Sequence, residues 1–219
     1  MNWFLNNLPQ IGELLGAHLG IAVPAIVLSV LIGVPIGRIA HASGRARGAI
    51  LTSTSLLYAL PSLPLIILIP ILTGLPLRSH ATLITALTVY GVALLVRSAA
   101  DAFATVPHDV LAAADATGYP RWRRVLRIEL PLAMPVLIAG TRVVAMSSIG
   151  LTTIGALIGI PSLGSLFTDG FQRGIAAEVT TGIVLTVVVA LAFDAALLIT
   201  GRLVQPWARA TRLAAGVSA

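Results

Sequence analysis

The sequence contains no cysteine and no lysine, few aromatic residues and little charge. The missing cysteines exclude disulfides and thiolate metal sites. Charged residues fill 10% of the 219 positions, against roughly 25% in a soluble globular domain. A deficit of that size, spread over several long apolar runs, describes a polytopic membrane protein. The length allows one domain, residues 1–219. With no lysine, the formal net charge of +6 rests on fourteen arginines. In a membrane protein an arginine excess is first a topology signal, and nucleic-acid binding is a poor second reading. The opening "MNWFLNNLPQIGE" has no basic n-region, so the first apolar run is expected to stay in the protein. His18, His41, His80 and His108 are scattered without metal-ligand spacing. They read as structural or interfacial, and neither a metal nor a cofactor is expected.

A spanning helix needs roughly 20 mostly apolar residues. About five stretches approach that length: 11–37, ending at Arg38; 50–75; 81–96, the shortest, ending at Arg97; 132–160; and 179–201, ending at Arg202. The connections differ sharply in arginine. Arg38, Arg45 and Arg47 follow the first stretch, and Arg97, Arg121, Arg123, Arg124 and Arg127 separate the third from the fourth. Arg202, Arg209 and Arg212 follow the fifth, while the opposite side holds Arg78 and Arg173. The positive-inside rule then places the N-terminus outside and the C-terminus in the cytoplasm. Arg97 reads as a topological anchor.

Proline and glycine mark unusual backbone. "YALPSLPLIILIP" puts Pro61, Ser62, Pro64 and Pro70 in the second stretch, which is expected to kink or break. Within a membrane such a break is buried in protein or lines a watery cavity, and both readings stay open. Gly12, Gly16 and Gly20, and again Gly155 and Gly159, recur every four residues. That spacing predicts close helix packing, with a dimer seam as the alternative. "GIPSLGSLFTDGFQRG", residues 159–174, is an external loop in which Leu163, Leu166, Phe167 and Phe171 give one apolar face to a short helix. It is either a re-entrant or interfacial element or a plain connection.

Two charges fall inside predicted spans. Arg142 lies eleven residues past Pro131, about 16 Å of helix rise. Asp194 lies eight residues before Arg202, about 12 Å. Their spans run in opposite directions, so the depths are similar. Intramembrane charges are usually paired or face water, and a pair or shared polar cavity stands beside independent exposure to a vestibule. Ser147 and Ser148 either face a pathway or satisfy carbonyls of their own helix.

The most basic segment is "VPHDVLAAADATGYPRWRRVLRIELP". Asp109 suits the N-cap of a helix over 110–117. Gly118 supplies a positive-φ stop. Pro120 opens a second helix over 121–128, and Pro131 is expected to close it. Trp122, Val125 and Leu126 share one side of that second helix. A lipid-surface helix would look similar, but it needs no defined glycine turn, whereas a docking element does.

The spacing Ala113-Ala114, three residues, Gly118, nine residues, Ile128-x-Leu130-Pro131 resembles the coupling motif of ABC importer permeases. Ala112 stands where that family usually has Glu. "YALPSLPLIILIP", "IELPLAMPVLIAGTR" and "ALIGIPSLGSLF" are similar to permeases of osmoprotectant importers, which carry glycine betaine, choline, carnitine and related compounds. Methionine-importer permeases share the five-span plan and are the nearest alternative. Where the wider family often has "GAGGLG", this chain has Gly159-Ile160-Pro161-Ser162-Leu163-Gly164, which implies a stiffer external gate.

The resemblance implies an all-α integral membrane protein of the type I ABC importer permease fold, its core about 11–202. It implies coupling helices over about 108–131, with Ala113, Ala114, Asp115, Gly118, Arg121, Ile128, Leu130 and Pro131 at the ATPase contact. Pro61, Ser62, Pro64, Arg142, Ser147, Ser148 and Asp194 are candidates for the pathway or gate. It implies no catalytic residues in this chain. The implied partners are a cytoplasmic ABC ATPase dimer, a second permease chain of the same or a related sequence, an extracytoplasmic solute-binding protein and the lipid of a bacterial inner membrane. Selection would lie mainly with the binding protein, for example through aromatic cages around quaternary ammonium groups. With three Trp and three Tyr, no such cage is visible in this sequence. Two rivals are weaker. An intramembrane hydrolase lacks a base at the depth of Ser147 and Ser148, and a secondary transporter would commonly show internal repeats.

Overall fold

The computed structural model describes residues 2–204, so Arg209 and Arg212 lie outside the described residues. Among those residues every regular element is helical. In chain order they are α1 (Asn2–Asn6), α2 (Leu8–Ala42), α3 (Arg47–Ala59), α4 (Ser62–Thr73), α5 (His80–Ala104), α6 (His108–Ala116), α7 (Arg121–Arg124), α8 (Leu130–Thr152), α9 (Ser165–Arg173) and α10 (Ala176–Val204). A π-helical turn, Val125–Glu129, joins α7 to α8, and a 3-10 segment, Thr153–Ile158, follows α8. Among the described residues four helical runs are long and apolar enough to cross a membrane, or five if the bent pair α3–α4 counts as one span.

The centre of the bundle is α2, α5 and α8 packed on one another. Toward one end Ile21, Ala25, Ile66, Leu83 and Leu87 form a buried cluster. Toward the other, Ala99, Phe103, Ala133 and Leu137 do the same. α10 leans on α8 through Val189, Phe193 and Leu197.

Several boundaries differ from the sequence expectation. The first span does not end at Arg38: α2 runs to Ala42 with Pro24 and Pro35 inside it. At 35 residues it is about 52 Å long, more than the roughly 30 Å hydrocarbon core. The third span is not short and does not stop at Arg97. α5 has 25 residues and carries Arg97 on an exposed face, because a single charge on the outer side of a helix costs its backbone nothing. The fourth span leaves α-helical geometry at Thr152 rather than at residue 160.

The break in the second span is complete. α3 and α4 meet at 108°. Leu60 is extended, with ψ 130°, and Pro61 takes the cap position of α4. A residue before proline is driven out of the α region. Starting a new helix here places Pro61 and Pro64 where backbone N–H groups have no helical acceptor, so neither ring removes a bond.

The glycine repeats behave unequally. A Cβ at Gly12, Gly16 or Gly20 would meet nothing within 4 Å; among the described residues this stripe packs against no other element. Close helix approach occurs instead at Gly37, where a Cβ would run into the Ala99 side chain and the Val96 carbonyl of α5. In the second pair Gly155 does take a close approach, since a Cβ there would run into the Leu83 side chain of α5, whereas Gly159 is not a packing position of a helix. It ends the 3-10 segment with φ +81°.

Candidate functional site

The segment over 108–131 is built around Gly118. Its φ of +77° is strained for any residue with a Cβ. It ends α6 in a Schellman arrangement: the Tyr119 N–H donates to the Ala114 carbonyl at 3.1 Å, and the Gly118 N–H to the Asp115 carbonyl at 3.1 Å. Asp109 does not cap α6. Pro107 holds the cap position with ψ 135°, and the helix begins at His108. Proline's fixed φ sets the entry two residues early and leaves Asp109 in the first turn, where its carboxylate suits the helix dipole.

Pro131 does not close the second helix. The helical run continues from Arg121 through the π-turn into α8 and on to Ile158. In a regular α-helix the Pro131 ring would press on the Arg127 carbonyl. The π-turn widens the backbone there, and the Leu130 N–H donates to the Val125 carbonyl, five residues back. The second short helix is thus the rigid root of a membrane-crossing helix, and any push on Arg121–Glu129 acts directly on α8.

The motif residues separate by role. Ala114 is buried, and Leu130 packs with Phe103, Val106 and Leu111 near the root of α8. Ile128 and Pro131 are half-buried, while Ala113, Asp115, Gly118 and Arg121 are exposed. So are three large apolar side chains, Tyr119, Trp122 and Leu126. Arg123 lies over the Trp122 ring, 5.0 Å from its centroid. Val125 is half-buried and does not share the open face of Trp122 and Leu126.

An ion network absent from the sequence reading holds this segment in place. Glu129 is 3% exposed and accepts from Arg38 Nε at 2.6 Å and from Arg124 Nε at 3.0 Å. Arg124 Nη1 also donates to both Asp115 carboxylate oxygens at 2.6 Å. α2, α6 and the α7–α8 junction therefore share one cluster of two cations and two anions. Beside it opens a cleft of about 590 Å³, reached by His41 and Arg121.

Halfway along the bundle, Arg142 and Asp194 form a forked pair between α8 and α10. Nε donates to Oδ1 at 2.6 Å and Nη2 to Oδ2 at 2.7 Å. Ser148 is buried and Ser147 half-buried. At the α3–α4 break, Pro61 and Pro64 are exposed and Ser62 is half-buried. His18 is fully buried, and among the described residues neither ring nitrogen has a hydrogen-bond partner.

At the far end α9 docks against α10. Leu163 and Leu166 are buried and Phe167 lies against Gly182, but Phe171 is 85% exposed and leaves the expected apolar face. One reason is that Arg173 at the end of α9 turns to the fully buried Glu178 of α10, at 2.6 Å, and fixes the helix rotation. The retained outer glycines of 159–164 serve the backbone: Gly159 has positive φ, and a Cβ at Gly164 would strike the Thr153 carbonyl.

The family described as "Binding-protein-dependent transport system inner membrane component" matches residues 19–210, and the chain belongs to it. It is 29% identical over 198 residues to the glycine betaine/carnitine/choline transport system permease protein OpuCB of Bacillus subtilis, covering 89% of this chain and 90% of that protein. It is 27% identical over 199 residues to the osmoprotectant import permease protein OsmW of Salmonella typhimurium, covering 89% and 91%. In fold it resembles the permease chain of the inward-facing MetNI methionine ABC transporter, with TM-score 0.79, 20% identity and coverage of 89% and 95%. The fold is that of type I ABC importer permeases.

Proposed function

We propose that this chain is the membrane-embedded half of an ATP-driven importer for glycine betaine, choline or related quaternary ammonium osmoprotectants, in a bacterial inner membrane. Its N-terminus lies outside and its C-terminus in the cytoplasm. The reading is carried by one observation: the glycine-turned α6–α7 element, with Tyr119, Trp122 and Leu126 exposed, is fused without a break to the spanning helix α8. An ATPase subunit gripping that element gains a lever on the membrane spans. ATP binding draws two ATPase subunits together, the lever turns α8, and the Glu129 cluster carries the same displacement to α2. This is rigid-body switching between two arrangements that both ATP and substrate bias.

A second permease chain, identical or related, closes the pathway, and an extracytoplasmic binding protein delivers substrate. Hydrolysis belongs to the partner. Asp115 and Arg121, both exposed beside the Gly118 turn, supply the polar rim of the ATPase contact. Arg142, Asp194, Pro61, Ser62 and Pro64 lie along the gate.

Co-expression with the neighbouring genes in cells lacking osmoprotectant importers tests the proposal. ATP-dependent uptake of labelled glycine betaine that Gly118→Arg abolishes is the expected result. Uptake of methionine in its place would move the substrate to the amino-acid class. No uptake together with failure to retain an ATPase in detergent extracts would overturn the permease role.

A further inference from the structure

Tyrosine in a membrane protein belongs at the interface, where its ring meets lipid and its hydroxyl reaches water. Two of this chain's three tyrosines depart from that rule. Tyr58 lies eleven residues along α3 from Arg47, about 16 Å of rise. Tyr90 lies ten residues along α5 from His80, about 15 Å. Both depths fall near the middle of a hydrocarbon core of roughly 30 Å. The two rings meet there from opposite directions, centroids 5.0 Å apart and planes tilted by 41°. Tyr90 is half-buried, whereas Tyr58 stays 45% exposed.

Lipid is a poor neighbour for an exposed phenol at that depth. The α3–α4 break begins two residues beyond Tyr58, with Leu60 and Pro61 exposed. Irregular backbone at membrane depth is tolerated where it is covered by protein or lines water. Ser55, one turn before Tyr58, is exposed as well, its hydroxyl donating to the Leu51 carbonyl. Ser62 and Tyr90 border one small recess just past the break, lined otherwise by Leu65, Ile66, Ala86, Leu87 and Leu151.

We propose that the exposed face of Tyr58, propped by Tyr90, is a station for the quaternary ammonium group on its way across the membrane; this rests on the transport reading above. A quaternary ammonium has no N–H to donate, and its charge is spread over methyl groups. An aromatic face suits it better than a hydrogen-bonding site. The carboxylate at comparable depth, Asp194, is already occupied by Arg142. A ring also holds a cation weakly enough for it to leave, as conduction requires.

The test uses the assembled importer in proteoliposomes, with ATP supplied and labelled choline as the probe. Position 58 carries Phe, then mono-, di- and trifluorophenylalanine, a nearly isosteric series that drains negative charge from the ring face. Tyr58→Phe should keep uptake near that of the unchanged complex. The fluorinated variants should then fall steadily, to roughly tenfold lower at trifluorophenylalanine, with Tyr58→Leu at least as low. Tyr90→Phe should retain uptake, because a prop needs only its ring. A flat fluorine series, or Tyr58→Leu as active as Tyr58, overturns the station and leaves the transport reading standing. Loss of assembly along the series marks Tyr58 as a packing residue and also overturns it. An unchanged complex that takes up neither choline nor glycine betaine overturns both.

Discussion

Glu129 accepts from arginines on two separate elements, whereas Asp194 faces one guanidinium in a fork. Around Glu129, two cations and two anions tie α2, α6 and the α7–α8 junction into one body. Around Asp194, one cation and one anion join two adjacent spans. Without its centre, the first arrangement leaves Arg38 with no carboxylate among the described residues and Arg124 with Asp115 alone. The second can lose both members and leave nothing unpaired. The cluster thus serves to make separate elements move together, and the fork serves to fix how α10 sits on α8.

The contrast predicts unequal consequences. Glu129→Ala should be the most damaging change, costing about 2–3 kcal/mol, below the penalty for a fully buried uncompensated charge because Arg38 and Arg124 border an open cleft. Thermal unfolding of the purified complex measures it. Glu129→Gln, which keeps an acceptor, should lose less, and adding Arg38→Met should restore only part, since Arg124 has also lost an acceptor. Full rescue by that second change would put the two sites on one footing. At the fork, Arg142→Ala and Asp194→Ala should each impair uptake, and the double variant should recover toward the unchanged protein. The coupling energy should be about 1–3 kcal/mol; additive losses would show that the two act apart. The smallest effect sharpens the comparison from outside both clusters. Gly118→Ala should cost about 1–2 kcal/mol of backbone strain alone, since a Cβ there meets nothing within 4 Å. Any loss of ATP-driven uptake from Gly118→Arg beyond that strain then measures docking.

Features set by a few neighbouring residues could be read directly from the chain. The break at Leu60–Pro61 follows from two prolines three positions apart, and the Gly118 turn from a residue that alone accepts positive φ cheaply. Pro131 misled the reading because a proline usually ends a helix, while here one π-turn makes room for it. Asp109 misled it because Pro107, which has no capping side chain, takes the cap. The Glu129 cluster was illegible: Arg38 lies 91 positions away in sequence. An evenly spaced stripe, Gly12, Gly16 and Gly20, drew the eye, but packing fell to Gly37, whose neighbour Ala99 comes from another helix. Three tyrosines in a list disclose nothing until Tyr58 and Tyr90 are seen to touch.

Apolarity misleads in a related way. Among the described residues α10 is the most apolar long helix and the least covered, with 11% of its most apolar stretch buried. α5 is less apolar and 56% buried. In water the more apolar face turns inward. In lipid it gains nothing by doing so, and small residues that permit close approach occupy the centre instead.

The sequence alone was enough to set the solvent, the approximate number of crossings, the proline break and the glycine turn between α6 and α7. Each depends on local backbone chemistry or on the transfer of one segment between water and lipid. Tertiary structure alone decided which arginine neutralises which carboxylate, which glycines are pressed and which tyrosines meet. Those outcomes depend on distances between helices far apart in the chain, and no local property encodes such distances.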